Sequence, residues 1–380
     1  DVTSAGDISA VGAGIAIWGA GDVTSEGNIS AGGFGIFIDG SGDVTSAGDI
    51  TANGYGIYIS GAGDVTSEGN ISAGSDGIRI DGSGDVSSTG DITAGNSGIY
   101  IWTDGNVTSA GDISAANGTG IVIGGSGDVS STGDISAGNR GIYIGGNGDV
   151  TSEGDISAAN GYGIYIFGDG NVSSTGDISA GQDGIYTGAG DVTSAGNITV
   201  GGDGIFISGN GNVDSTGDIT AGGDGINTGS GDVTSEGNIT AGGDGINTGG
   251  GNVTSEGNIS AHGDGIYVFG GGDVTSAGDI SANGFGIYIG GIGNVDSMGD
   301  ITAGGDGIYI WLDGNVDSTG DITAGGSGIY IGGAGDVRSV GNIHAGQTGI
   351  FIGDNGVIDV LGNVHGDDVG IAGGEGEQVV

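Results

Sequence analysis

A segment of about 21 residues, first complete as Gly21 to Ser41 (GDVTSEGNISAGGFGIFIDGS), recurs along almost the whole chain. Its opening Gly-[Asp/Asn]-Val returns at Gly42, Gly63, Gly84, Gly105, Gly127, Gly148, Gly170, Gly190, Gly211, Gly231, Gly251, Gly272, Gly293, Gly314 and Gly335. With the first segment this makes seventeen clear copies of 20 to 22 residues, followed by a decayed eighteenth after Gly356. A fixed period of this length specifies stacked repeats, and that constraint outweighs any residue-by-residue assignment.

Within the unit, apolar and polar residues alternate in three short runs: Asp22 to Ser25, Asn28 to Ala31 and Ile36 to Ile38. Period two means strand. A glycine precedes each run (Gly21, Gly27, Gly35), as expected where the backbone turns with positive φ or passes too close for a Cβ. Three strands and three corners predict one coil of an all-β single β-solenoid (β-helix). Each strand should pair in parallel with its equivalent in the next copy at about 4.8 Å. Alternation sends Val23, Ser25, Ile29, Ala31, Ile36 and Ile38 inward. The serine recurs in every clear copy and the alanine in all but one, where Val200 stands. That is a narrow, filled core with no lumen. One cooperative body over residues 1–355 is expected, with 356–380 as a degenerate last coil and tail serving as a cap or docking end.

Copies differ at few places. Single-residue insertions fall at one corner, in Ala115 to Gly118 and Ala158 to Gly161, where they leave strand register intact. Three copies are shortened after the third strand and carry Thr187, Thr228 and Thr248 in place of the second inward isoleucine. The stretch 184–250 is therefore expected to be the softest part of the core, or a bend. Beyond Gly356, Val357, Val360 and Leu361 fall off the register.

The 380 residues include 101 glycines, no proline, no cysteine and three arginines, Arg79, Arg140 and Arg338, as the only Lys or Arg cations. Absence of proline suits a chain whose N–H groups are wanted for ladders. Glycine without a strict three-residue period excludes collagen, and periodic Val/Ile argues against disorder. Lack of cysteine is neutral as to redox compartment. No apolar run is long enough to span a bilayer, and Asp1, entering inside a repeat, reads as a processed mature end or an artificial boundary. Net charge is −45. Eighteen coils would stretch to about 86 Å, which gives roughly one negative charge per 2 Å, near the ~1.7 Å spacing of duplex DNA. Such a surface disfavours nucleic acid and anionic membranes, and leaves cations, basic proteins and neutral glycans open as partners.

Three outward features are candidates for function. First, the centre of the third strand carries Phe37, Tyr58, Tyr100, Tyr143, Tyr165, Tyr186, Phe206, Tyr267, Tyr288, Tyr309, Tyr330 and Phe351, interrupted by Arg79. Two positions on, Trp18, Trp102, Phe167, Phe269 and Trp311 also face out. This stripe reads either as a stacked ladder stiffening the sheet or as a contact strip for another solenoid or for sugar rings. Second, Asp or Asn follows two of the corner glycines in columns that include Asp22, Asp43, Asp64 and Asp85, and Asp91, Asp112, Asp134 and Asp155. Local Asx turns account for them; calcium bridging between coils is the alternative for oxygen-only ligands. No other cofactor is called for. Third, Asn-x-Ser/Thr triplets at Asn28, Asn70, Asn106 and Asn117, among others, are glycan acceptor sequences, although the repeat consensus itself generates most of them. No catalytic set emerges: His262, His344 and His365 are scattered, and no long loop offers a cleft. The chain is thus not expected to be an enzyme.

The glycine-cornered short-strand pattern of GDVTSEGNISAGGFGIFI and its copies resembles the β-solenoid passengers of secreted bacterial adhesins of the filamentous-haemagglutinin and autotransporter kind. The resemblance implies an exported, extracellular or cell-surface protein with a structural or adhesive role. The first expectation is a structural solenoid that assembles head to tail and sideways into a filament, sheath or surface layer. Head-to-tail growth is expected because Asp1-Val2-Thr3 enters in register and leaves strand edges unpaired. The second expectation is an adhesin binding glycans through the aromatic face. An ice-binding role would rest on outward Thr24, Thr45, Thr66 and Thr108, but the next outward positions, Glu26, Ala47, Glu68 and Ala110, break the paired array that role needs.

Overall fold

The computed structural model describes residues 1–374, 378 and 379. It is an all-β parallel β-solenoid of about 18 coils with three strands per coil, and no helix occurs among the described residues. The chain divides into two compact units, Asp1–Gly190 and Asp191–Val380. The first runs through nine coils, from strand Val2–Ser4 to strand Ile185–Thr187. The second begins with strand Val192–Ser194 and continues to Gln378–Val379.

In a regular coil the strands are three residues each, Val23–Ser25, Ile29–Ala31 and Ile36–Ile38, and they contribute to a first, second and third sheet. Each pairs in parallel and without offset with its copy in the next coil: Val23 with Val44, Ile29 with Ile50, Ile36 with Ile57. Hydrogen bonds run both ways along the stack. The Val23 N–H donates forward to the Asp43 carbonyl at 2.8 Å, and the Glu26 N–H donates backward to the Ser4 carbonyl at 2.8 Å. Because every coil uses its neighbours in this manner, a single coil has no independent means of satisfying its backbone.

The six inward positions are buried as the alternation predicts, with Val23 and Ile29 at 1% exposure and Ile36 and Ile38 at 0%. Each such aliphatic contributes roughly 1.5–3 kcal/mol of burial. The recurring serine has a specific task. Ser25 Oγ donates to the Gly27 carbonyl at the first corner (3.4 Å), and Ser46, Ser67 and Ser88 do the same at 3.4, 3.3 and 3.2 Å. At these corners a small polar side chain satisfies a carbonyl that turns inward, whereas Ser194, Ser215 and Ser297 are buried in the same place without a partner for Oγ.

The corner glycines are explained more by stacking than by φ. A Cβ at Gly27 would fall on the backbone of Gly6, and one at Gly35 on Ile50 Cγ2 and the Gly56 carbonyl. Left-handed φ values are confined to the corner after the third strand, at Gly19, Gly21, Gly40, Gly127, Gly190, Gly231 and Gly251.

In the shortened coils the inward threonines are buried and hydrogen-bonded. Thr187 Oγ1 lies 3.0 Å from the Gly170 and Ala189 carbonyls. Thr248 Oγ1 donates to the Gly250 carbonyl at 3.0 Å and accepts the Gly250 N–H at 3.2 Å. The tighter corner brings carbonyls to the place where an isoleucine would end.

One register expectation is corrected. In the coil after Gly356, Ile358 pairs with Val337 and Val360 with Ser339, so Val360 sits on register in the inward serine position. Val357 and Leu361 face solvent on either side of it. The cap or docking role expected of 356–380 falls partly on Glu375, Gly376, Glu377 and Val380, which lie outside the described residues.

Candidate functional site

The outward column of the third sheet places the predicted rings over one another because its strands are in register. All are half-buried. In Asp1–Gly190, Tyr143 and Tyr165 stack at 5.7 Å, and Tyr165 and Tyr186 at 4.6 Å with 13° between planes. Phe37 meets Tyr58 at 5.5 Å and Trp18 edge-on at 5.3 Å. In Asp191–Val380, Tyr267, Tyr288, Tyr309, Tyr330 and Phe351 form one unbroken stack with centroids 4.6 to 5.3 Å apart. Phe206 stands in the same column, paired with Asn227. Burial and the neighbouring rings push the Tyr309 phenol up to about 12. Burial, then its 2.7 Å hydrogen bond to Asp81, raises Tyr58 to about 12 as well.

Arg79 takes the place of a ring in this column, between Tyr58 and Tyr100. Its guanidinium lies 4.6 Å from the Tyr100 centroid and 5.9 Å from that of Tyr55, and is held by Asp81 at 2.8 Å and Asp76 at 3.3 Å. Arg140 is placed likewise over Tyr143, Tyr165 and Tyr162. Tyrosine rings thus take two of the three arginines as cation–π partners.

Sequence reasoning missed a second aromatic column, just before the third-strand glycine: Phe34, Tyr55, Tyr162 and Phe285. Each ring packs against the ladder residue three positions on, as in Phe34 on Phe37 at 5.1 Å and Tyr55 on Tyr58 at 5.2 Å. The signal was the motif aromatic-Gly-Ile-aromatic in GFGIFI and GYGIYI. The outermost residues are the most exposed: Trp18 80%, Phe269 70%, Phe167 66%, Trp102 59% and Trp311 57%.

The Asx columns do something other than make local turns. Asp22 Oδ1 accepts the backbone N–H of Asp43, Asp43 that of Asp64, Asp64 that of Asp85 and Asp85 that of Asn106, at 2.7 to 3.0 Å. Asp91, Asp112, Asp134 and Asp155 serve the following coil in the same manner at 2.8 to 3.0 Å. The partner is one coil away, and the side chain supplies the ladder bond that the corner backbone lacks. Asp and Asn exchange freely here because both offer Oδ1; Asn adds a donor, as in Asn106 Nδ2 to Asp85 at 3.1 Å. Among the described residues no group of three or more His, Asp or Glu side chains is placed to hold a metal ion. The candidate acceptors Asn28, Asn70, Asn106 and Asn117 are all exposed. Asn28, Asn70 and Asn106 accept a neighbour's N–H through Oδ1, and Asn117 Nδ2 donates to the Gly95 carbonyl.

A third Asp column, also missed, lies in Asp191–Val380 at the position of Phe34: Asp203, Asp224, Asp244 and Asp264. Each accepts the next coil's N–H at 2.7 or 2.8 Å. Here the carboxylates are half-buried. Burial, and then the neighbouring carboxylate, raises the pKa of Asp244 and Asp264. Its sequence signal was the recurring Gly-Asp-Gly-Ile.

Away from the aromatic face, shallow troughs run along the other two sheets. One, of about 670 Å³, is floored by Thr275, Asp296, Asp317, Arg338 and Asp359 on the first sheet, and Arg338 is paired with Asp317 at 2.9 Å. Another, of about 570 Å³, is floored by Thr240, Ser260, Ser281 and Thr302 on the second sheet. The histidines are not all scattered: His344 and His365 are in register on adjacent strands of the second sheet. Compared with known proteins, the chain matches no family model, no curated protein and no solved structure.

Proposed function

We propose that the chain is an extracellular structural β-solenoid whose aromatic face is the lateral contact by which copies associate into a filament, sheath or layer. The observation that carries this is the contrast between faces. Backbone and Asx groups are spent on bonds between coils, whereas the ladder is edged by Trp18, Trp102, Phe167, Phe269 and Trp311, all more than half exposed. A band of that kind favours association over a monomeric life in water. Growth along the axis would use the in-register pairing that already joins coil to coil. The resemblance to secreted adhesin passengers, the absence of lysine and the net charge of −45 support a surface or extracellular setting. No enzymatic role is part of this reading.

Trp102→Ser, Phe167→Ser and Trp311→Ser combined should abolish lateral assembly seen by electron microscopy and sedimentation, with an unchanged far-ultraviolet spectrum. Assembly that persists in the triple variant overturns the proposal. A second reading, a glycan-binding adhesin, is favoured by the Tyr309 and Trp311 rings, 6.2 Å apart on the same face. Glycan-array binding lost on Tyr309→Ala with Trp311→Ala supports it, and no binding to any glycan retires it.

A further inference from the structure

The outward column of the second sheet is serine or threonine at every coil from Ser9 to Thr323, and then becomes histidine twice in succession, His344 and His365. The chain has only three histidines. Strands Ile343–Ala345 and Val364–Gly366 pair in parallel with His344 opposite His365. Their rings lie 5.0 Å apart with 10° between planes. Both side chains are exposed, and Asp367 Oδ1 is 3.2 Å from His365 Nε2. In the adjoining column, where Asp and Asn interchange along the chain, these two coils carry Asn342 and Asn363, joined through the Asn363 N–H to Asn342 Oδ1.

We propose that His344 and His365, with Asp367 beside them, form a surface chelate for a borderline divalent cation of the zinc class, clipping the loosened coil after Gly356 to the regular coil before it. The inference is independent of the assembly reading. Imidazole nitrogen selects zinc, nickel or copper over calcium and magnesium, which prefer oxygen. Metal–nitrogen bonds of about 2.0–2.1 Å require the two nitrogens to approach to roughly 3 Å. From stacked rings 5.0 Å apart this needs rotation of both exposed side chains about χ1 and χ2, so that their in-plane lone pairs converge, on strands whose spacing is already fixed. Asp367 then exchanges its contact with His365 for the metal, and water completes the sphere. The resting geometry holds a pair and an adjacent carboxylate, consistent with no preformed three-ligand group among the described residues. The surrounding negative charge concentrates cations at the site.

The test is calorimetric titration of the whole chain with Zn²⁺ at neutral pH in excess Ca²⁺, present as a competitor for oxygen-only sites. One saturable Zn²⁺ per chain is expected. His344→Ser and His365→Ser, each restoring the residue type of the column, should both eliminate it without affecting the fold. Asp367→Asn should weaken it about tenfold, and His262→Ala should leave it unchanged. The proposal is overturned by a wild type with no saturable Zn²⁺ site, or by a double variant that binds Zn²⁺ as the wild type does.

Discussion

The coils around Phe34 to Tyr58 and those around Asp224 to Thr248 occupy equivalent positions in the repeat, each within its own unit, and present opposite chemistry. In the former, Phe34, Phe37, Tyr55 and Tyr58 pack as a four-ring cluster with centroids 5.1 to 6.0 Å apart. In the latter the same four positions are Asp224, Asn227, Asp244 and Asn247, with Asn227 Nδ2 bonded to Asp224 at 2.9 Å and Asn247 Nδ2 to Asp244 at 3.1 Å. Backbone register is identical: Ile36 with Ile57 and Phe37 with Tyr58, Ile226 with Ile246 and Asn227 with Asn247. Inward aliphatics, tight glycines and bonds between coils therefore set the frame. The outer face of the third sheet is left free to be apolar in one place and acidic in another.

If the frame is shared, an insult to it should cost both regions equally. Gly56→Ala would drive a Cβ into Ile71 Cγ2 and the Gly77 carbonyl, and Gly225→Ala into Ile239 Cγ2 and the Gly245 carbonyl. Both should destabilise by about 3 kcal/mol or more in urea unfolding. A large loss at one and none at the other would show that the regions are built differently.

The next effect separates them. Thr248 is buried with both its donor and acceptor functions used, whereas its counterpart Ile59 is buried and apolar. Thr248→Val and Ile59→Thr should each destabilise by about 2 kcal/mol, the first by orphaning the Gly250 N–H, since the Gly250 carbonyl keeps the Gly231 N–H at 2.9 Å, the second by burying a hydroxyl. A stabilising Thr248→Val would mean that the threonine is only a smaller isoleucine.

How far these features could be read in advance depended on whether they lie within one repeat or between repeats. The strands, their inward residues Val23 to Ile38 and the stacking followed from a period visible in one copy. The destination of Asp22 did not, because local composition makes a short-range Asx turn and a bond to a residue 21 positions away look alike. Nor did the pairing of His344 with His365: their separation looks like scatter until it is recognised as one period. Arg79 reads as a break in a column of rings, and only the geometry shows it lying against Tyr100. The function of the aromatic face depends on what meets it, and no residue in the repeat encodes that.

Removing one ring should cost less than either change above. Tyr309 stacks on Tyr288 at 5.3 Å and on Tyr330 at 4.7 Å. Tyr309→Ala should cost about 1–2 kcal/mol, from two ring contacts and lost area. Asn247→Ala, at the equivalent place in the acidic coils, should stay below about 1 kcal/mol, since it loses one partly solvated hydrogen bond. Equal costs would remove the ladder as a source of stiffness.

The smallest effect, and the one that distinguishes the faces most cleanly, is on pH dependence. The folded pKa of Asp244 and Asp264 is raised, by burial first and then by the adjacent carboxylate. A raised carboxyl pKa means that the folded state holds the proton more tightly than the unfolded chain. Its contribution is therefore most favourable at low pH and is lost as pH rises from the ordinary value of 3.8 through the folded one. Tyr58 and Tyr309, pushed up to about 12 from 10.0, keep their contribution at neutral pH and lose it as pH rises from 10 through 12. Asp244→Asn with Asp264→Asn preserves the Oδ1 acceptors that receive the Asp264 and Phe285 N–H groups and removes both charges. Asp224 on one side and Tyr267 on the other still face the pair. The double variant should melt above the wild type at pH 7 and together with it near pH 3, while Tyr309→Phe should flatten the loss between pH 10 and 12 and leave the acid side untouched. A double variant that melts below the wild type at pH 7 would show that the charged carboxylates strengthen the ladder by more than their burial and mutual repulsion weaken it.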